Sequence, residues 1–138
     1  MIKAQLSRQL MIMLEDNVGT LAEVTSAISS SGINQIAICA YAVNNMVAIM
    51  FVTEDNNAAK KLLEDHGIEV QEEEVILLTI DNKPGALQRV TNQLAQAQID
   101  LTLIYGSAAD SAEFSRIVIC SKNNLDAMLV LKTVIERS

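Results

Sequence analysis

The chain has 138 residues, half of them apolar, a mean hydropathy of +0.26, and no apolar run near the roughly 18 residues that span a bilayer. A net charge of −7, a pI near 4.6, no Trp, two Tyr and two Phe leave little to attract phosphates or stack bases, which excludes nucleic acid and anionic membrane as direct partners. The opening MIKAQLSRQL lacks the apolar core and small-residue cleavage site of a signal peptide, so a cytoplasmic protein is expected.

Along the chain, Ile2-Lys3-Ala4-Gln5-Leu6 precedes the first clear element. Leu10 to Leu14 is a wholly apolar run closed by the turn-like EDNVG, and reads as a strand buried on both faces. Leu21, Val24 and Ile28 then recur at the spacing of one helical face, with Gly32 to end the helix. Residues 33–43 and 46–53 are β-rich runs around Asn44-Asn45, a pair that tolerates the positive φ of a tight hairpin turn. Residues 55–67 (DNNAAKKLLEDHG) are helical in composition, with Asp or Asn as N-cap and Leu62 and Leu63 toward a core, and Ile68-Glu69-Val70-Gln71 alternates like a strand. The order then begins again. Val75–Ile80 is a strand, and Leu87, Val90 and Leu94 mark a helix with Gln98 at its end. Residues 99–105 and 114–120 are strands joined by GSAADSAE, and KNNLDAMLVLKTVIER is a helix with Met128 and Leu129 toward a core.

This is an internal repeat. Gly19 and Gly85 stand 66 positions apart, and the same offset carries Leu21 to Leu87, Val24 to Val90, Thr25 to Thr91, Ile33 to Ile99 and Ile38 to Ile104. Beyond GSAADSAE the offset reads as 67, which makes that loop one residue longer, more mobile, and sets Cys120 against Thr53. Each copy spells βαββαβ, the order of an α+β, ferredoxin-like module with an antiparallel sheet and two helices on one face. The copies span 1–73 and 74–138. The second has no counterpart of residues 68–73, and Ile2–Leu6 is available to fill the bare edge in its own chain or a partner's. Units of about 65 residues bury little surface alone, so the two are expected to pack as one structure.

Nothing in the chain builds a catalytic or metal site. His66, the lone histidine, ends a charged helix before Gly67 and reads as a C-terminal cap. Cys39 and Cys120 sit in apolar strands as small hydrophobes in a reducing compartment. Glu72-Glu73-Glu74 reads as a solvated charge run, and the recurring Thr25 and Thr91 as helix packing. No enzyme and no cofactor are expected.

The chemistry lies in the strand-to-helix turns, Asp16-Asn17-Val18-Gly19-Thr20-Leu21 and Asn82-Lys83-Pro84-Gly85-Ala86-Leu87. A helix N-terminus presents unpaired amides with partial positive charge, and glycine lets a carboxylate approach the backbone. Pro84 suits the first turn. Asp16 and Asn82 can accept from the same amides when no ligand is bound. These turns, followed by VTSAISSSGINQ and VTNQLAQAQIDL, resemble the ACT domain family, small βαββαβ modules that commonly bind amino acids in regulators of amino-acid metabolism; Val18 departs from the family's proline. The resemblance covers nearly the whole chain as two tandem modules. It implies that the modules stand side by side in one mostly antiparallel sheet of about eight strands, with ligands at the seam. The 16–21 turn would then face Ile99, Asp100 and Leu101, and the 82–87 turn would face Ile33, Asn34 and Gln35. Asn82 and Lys83 favour a carboxylate, while Asp16 or Asp100 suits an ammonium.

The expected function is a non-catalytic, allosteric regulator that binds a free amino acid. The alternative is a ligand-free structural or interaction subunit docking on a metabolic enzyme. Because LMIML and MVAIMFV are apolar on both faces while helices cover only one, the other face is expected to meet a second chain, giving a homodimer or higher homo-oligomer.

Overall fold

The computed structural model describes residues 2–107 and 111–137. Along these residues run β1 (Ile2–Glu15), α1 (Thr20–Ser30), β2 (Gln35–Val43), β3 (Met46–Thr53), α2 (Asn56–Asp65), β4 (Gln71–Asp81), α3 (Ala86–Gln96), β5 (Leu101–Ser107), β6 (Phe114–Ser121) and α4 (Asn124–Arg137). They form two compact units. The first is Arg8–Glu73; the second joins Met1–Ser7 to Glu74–Ser138.

In the first unit the strand order is β2-β3-β1-β4, and β3 runs antiparallel to both β1 and β2. Alternation along each strand sends Leu10, Ile12, Ile49 and Phe51 to one face, where they meet Val24 and Ile28 of α1 and Ala59 and Leu63 of α2 in a buried cluster. Each such fully buried side chain contributes about 1.5–3 kcal/mol. Asn44 and Asn45 both have positive φ, 50° and 64°, in the two-residue turn between β2 and β3, as the Asn-Asn pair requires.

In the second unit the order is β1-β4-β6-β5, with β6 antiparallel to β4 and β5. Its core gathers Ile76, Leu78, Ile80, Ile117 and Ile119 beneath Val90 and Leu94 of α3 and Ala127, Leu131 and Val134 of α4. Ile2 is buried in that cluster and Ala4 packs on it, so the N-terminal segment stands beside β4, where a last strand of the repeat would lie. No Gly or Pro interrupts residues 2–15, and the expected segments Ile2–Leu6 and Leu10–Leu14 form one fourteen-residue strand. The described strands number six, in the order β2-β3-β1-β4-β6-β5.

Several boundaries and orientations differ from the sequence reading. Ile68, Glu69 and Val70 precede the strand, which begins at Gln71; Ile68 and Val70 pack on the core instead. Leu129 is exposed, because the phase of α4 turns Ala127, Leu131 and Val134 inward, while Met128, half-buried, packs on the core as expected. The late repeat offset is 68: Ile49 and Phe51 occupy the core places of Ile117 and Ile119, and Thr53 that of Ser121, not Cys120. An offset of 67 would invert every side chain of β6 across the sheet. Between the core places of β5 and β6 the second copy therefore carries two residues more than the first. The mobility expected of GSAADSAE falls partly on 108–110, outside the described residues. On the face away from the helices, Met50 and Val52 in the first unit are 4 % and 2 % exposed, and Leu77 and Val118 in the second are 4 % and 0 %, whereas Met13 is 50 % exposed. None of the described helices is long and apolar enough to cross a membrane.

Candidate functional site

Both strand-to-helix turns are built alike. Gly19 (φ 94°, ψ −7°) and Gly85 (φ 86°, ψ −12°) stand at the N-caps of α1 and α3 in the left-handed region, which glycine enters without strain. Neither helix has a side-chain cap. The turns close through Thr20 N to Asn17 O at 3.2 Å and Ala86 N to Lys83 O at 3.3 Å, and the next helical turns through Glu23 N to Gly19 O at 2.9 Å and Arg89 N to Gly85 O at 3.1 Å. The amides of Leu21 and Ala22, and of Leu87 and Gln88, find no acceptor among the described residues.

The capping expected of Asp16 and Asn82 does not occur. Asn82 instead ties the turn to the segment before β6: its Nδ2 donates to Ala112 O at 3.1 Å, its Oδ1 accepts from Ser115 Oγ at 3.3 Å, and its amide donates to Glu113 O at 3.0 Å. Asp16 is exposed and its amide donates to Asn45 O at 2.9 Å. Asn17 and Val18 are exposed as well, and Thr20 Oγ1 donates to Asn17 O at 2.9 Å. Leu21 and Leu87, read as core, are 41 % and 38 % exposed, since the cores begin one turn further in at Val24 and Val90.

A cavity of about 240 Å³ opens at the second turn, lined by Lys83, Pro84, Gly85, Ala86, Arg89, Asp81 and Ile2. Among the described residues Arg89 carries no ion pair or side-chain hydrogen bond, while Lys83 reaches Asp81 at 3.7 Å. Arg89 escaped the sequence reading, although its place four residues after Gly85 puts it over the opening turn of α3.

The strand starts are distributed between core and surface. Ile33 packs on the first core, and Ile99 and Leu101 on the second. Asp100 pairs with Lys122 at 3.3 Å on an exposed surface, where such a pair contributes little. Asn34 Nδ2 lies 3.4 Å from Glu54 Oε1. The ladder shifts between Gln35 and Ala37 and again between Leu101 and Leu103, the same bulge in both copies. Such a bulge re-aims the side chain before it. Gln35 is thereby set against Thr53 and lines a cavity of about 400 Å³ with Thr25, Ser26, Ile28, Ser29, Ile33 and Asn34. Its Nε2 is buried without a hydrogen-bond partner among the described residues, at a place where the second copy carries Leu101. By unit, the 16–21 turn lies with 33–35 in the first, and the 82–87 turn with 99–101 in the second.

The residues set aside as non-catalytic are engaged structurally. His66 Nδ1 lies 2.8 Å from Leu62 O at the end of α2, and Thr25 and Thr91 donate back to helix carbonyls at 3.0 and 3.1 Å. Cys39 is a half-buried thiol and Cys120 a buried one. The glutamate run is knit into the fold rather than merely solvated: Glu72 accepts from Arg8 at 2.8 Å and stands 3.6 Å from Lys60, and Glu73 accepts from Gln9 at 3.1 Å.

A family model described as an ACT domain pair matches residues 5–112. Among solved structures, protein BT0572 from Bacteroides thetaiotaomicron is similar at 28 % identity and a TM-score of 0.85, covering 94 % of this chain and 89 % of that one. The ligand-free regulatory subunit of aspartate kinase from Thermus thermophilus gives 16 % identity and 0.67, covering 94 % and 95 %. That from Thermus flavus gives 17 % and 0.63, covering 98 % and 95 %; these two show likeness of fold. Among curated proteins, none matches the chain in sequence.

Proposed function

Because the chain belongs to the ACT domain pair family, we propose that it is a regulatory protein, without catalysis of its own, that binds a free amino acid and passes the binding to a metabolic enzyme. The observation that carries this reading is the cavity at the 82–87 turn. Lys83, Arg89, which has no ion pair among the described residues, and the amides of Leu87 and Gln88, which find no acceptor there, suit a carboxylate. The orphaned Gln35 amide beside hydroxyl-bearing Thr25, Ser26 and Ser29 supports a second polar contact point, a donor that seeks an acceptor. A ligand shifts only an equilibrium whose states it binds unequally, so control would act on assembly or on docking to the enzyme. The Thermus relatives in fold are regulatory subunits of aspartate kinase, which is the kind of partner this reading favours.

A thermal-shift screen against the common amino acids tests it. A ligand at 100 times its dissociation constant stabilises by about 2.7 kcal/mol, a rise of several degrees in the midpoint. Arg89→Ala should abolish the shift, and it disturbs the turn less than a substitution at Gly85, whose positive φ any side chain would strain. A panel without any shift overturns amino-acid binding and leaves a ligand-free docking subunit.

A further inference from the structure

The second unit carries a cleft unrelated to the helix-opening turns. Alternation sends Ile2 and Ala4 of β1, Ile76, Leu78 and Ile80 of β4, and Ile117 and Ile119 of β6 to the core beneath the helices. Lys3 and Gln5, Leu77 and Thr79, and Phe114 and Arg116 consequently emerge together on the opposite face, where they line a cavity of about 360 Å³. It shares no lining residue with the cavity at the 82–87 turn. Thr79 and Arg116 are directly paired across β4 and β6, and Lys3 stands on β1, on the other side of β4. Two strand spacings, about 10 Å of backbone, separate the two cations. Buried Leu77 forms the floor and half-buried Phe114 a wall.

Lys3 and Arg116 share with Lys61, Arg89 and Lys132 the lack of an ion pair among the described residues, but only Lys3 and Arg116 line one cavity together. With 17 acidic and ten basic residues, a cation has many carboxylates to choose from. Lys60, Lys83, Lys122 and Arg8 all have one. Among the described residues Lys3 and Arg116 have no ion pair and no side-chain hydrogen bond, and Gln5 and the Thr79 hydroxyl are equally unengaged. Asp81, the next residue on the same face of β4, is already held by Lys83 at 3.7 Å. Two uncompensated cations, two neutral donors, an apolar floor and an aromatic wall converge on one small concave site. An arginine fork fits a carboxylate or phosphate edge-on, and a lysine ammonium supplies a point charge for a second anionic group.

We propose that this cleft is a second small-molecule site, which takes a small organic dianion, a dicarboxylate or a phosphate monoester, held by Lys3 and Arg116 with its apolar body on Leu77 and Phe114. Thr79 and Gln5 donate hydrogen bonds to the same anion. The site would let the protein respond to an acidic metabolite independently of the amino acid at the turn.

Titration of the full chain with benzene-1,3-dicarboxylate, phenyl phosphate and inorganic phosphate, followed by backbone amide NMR, tests the proposal. Saturable binding of at least one aromatic dianion is expected, with shifts concentrated at Thr79, Phe114 and Arg116; which of the two saturates identifies the anionic group. Lys3→Ala and Arg116→Ala should each weaken binding about tenfold or more, as the loss of a charged hydrogen bond does. Both side chains are exposed, so an unchanged thermal midpoint confirms intact folding. Arg89→Ala should leave the affinity unaltered, which separates this site from the proposed amino-acid site. Absence of saturation with all three probes, indifference to both Lys3→Ala and Arg116→Ala, or shifts confined to 82–89 and abolished by Arg89→Ala would overturn it.

Discussion

Asn124 fastens the start of α4 to Glu74 on β4: its Nδ2 donates to the Glu74 carbonyl at 3.0 Å while its Oδ1 accepts from the Ser121 amide at 2.9 Å. The first unit repeats the brace. Asn56 donates to Arg8 O at 2.7 Å and accepts from Thr53 N at 2.9 Å. In each case one amide joins a helix start, a strand end and a neighbouring strand, and its loss leaves a donor and an acceptor of the main chain unpaired. Asn56→Ala and Asn124→Ala should each lower the unfolding free energy by about 1–3 kcal/mol in urea titrations. Asn124→Asp, which keeps the acceptor and loses the donor, should fall between wild type and Asn124→Ala.

Gln35 offers the opposite sign. Its buried Nε2 has no partner, and its repeat counterpart Leu101 is packed on a core. Gln35→Leu should therefore raise stability in the absence of ligand, by up to about 1–3 kcal/mol, because it removes an unsatisfied donor. A lowered thermal midpoint would show that the amide is satisfied by ordered water.

Glu72 makes the first unit sensitive to acid. The hydrogen bond from Arg8 is the main cause that holds its carboxyl below the ordinary 4.5; burial opposes it, and the Lys60 charge assists. The folded state therefore binds its proton less readily than the unfolded chain. The stabilisation is complete above the unfolded pKa and is lost as pH falls through the lower, folded value. Urea midpoints followed from neutrality down to about pH 3 should fall less steeply in Glu72→Gln than in wild type. Parallel profiles would show that the pair is fully screened.

Gly106 on β5 has a packing role. A Cβ there would lie 2.5 Å from Ile117 Cδ1 and 3.3 Å from Arg116 O. Gly106→Ala should cost about 1–3 kcal/mol by overpacking. Adding Ile117→Val, which deletes Cδ1, should recover part of that loss, and double-mutant analysis of the two midpoints measures the coupling.

Much of the fold was legible because its signals are local. The 66-residue repeat, the apolar stripes of Val24 and Ile28 and of Val90 and Leu94, and the Asn44-Asn45 turn each depend on residues near in sequence. The helix-opening glycines belong to the same class, since a positive φ restricts the residue type at that position. The candidate site was legible in its turn and less so in its surroundings: Lys83 and Gly85 carry a motif, whereas Arg89 lines the cavity from one helical turn away.

By itself the sequence determined the two-copy α+β architecture, the absence of any spanning apolar segment, and the glycine-led helix openings. These follow from periodicity and backbone stereochemistry. Only the tertiary structure decided that residues 2–7 pack in the second unit, that Asn82 braces a hairpin rather than capping its helix, that the late repeat offset is 68, and that a bulge turns Gln35 into a cavity. The physical reason is common to all four. Strand pairing and register are set between residues far apart in the chain, and a shift of one residue inverts which side chains are buried, which no local pattern records.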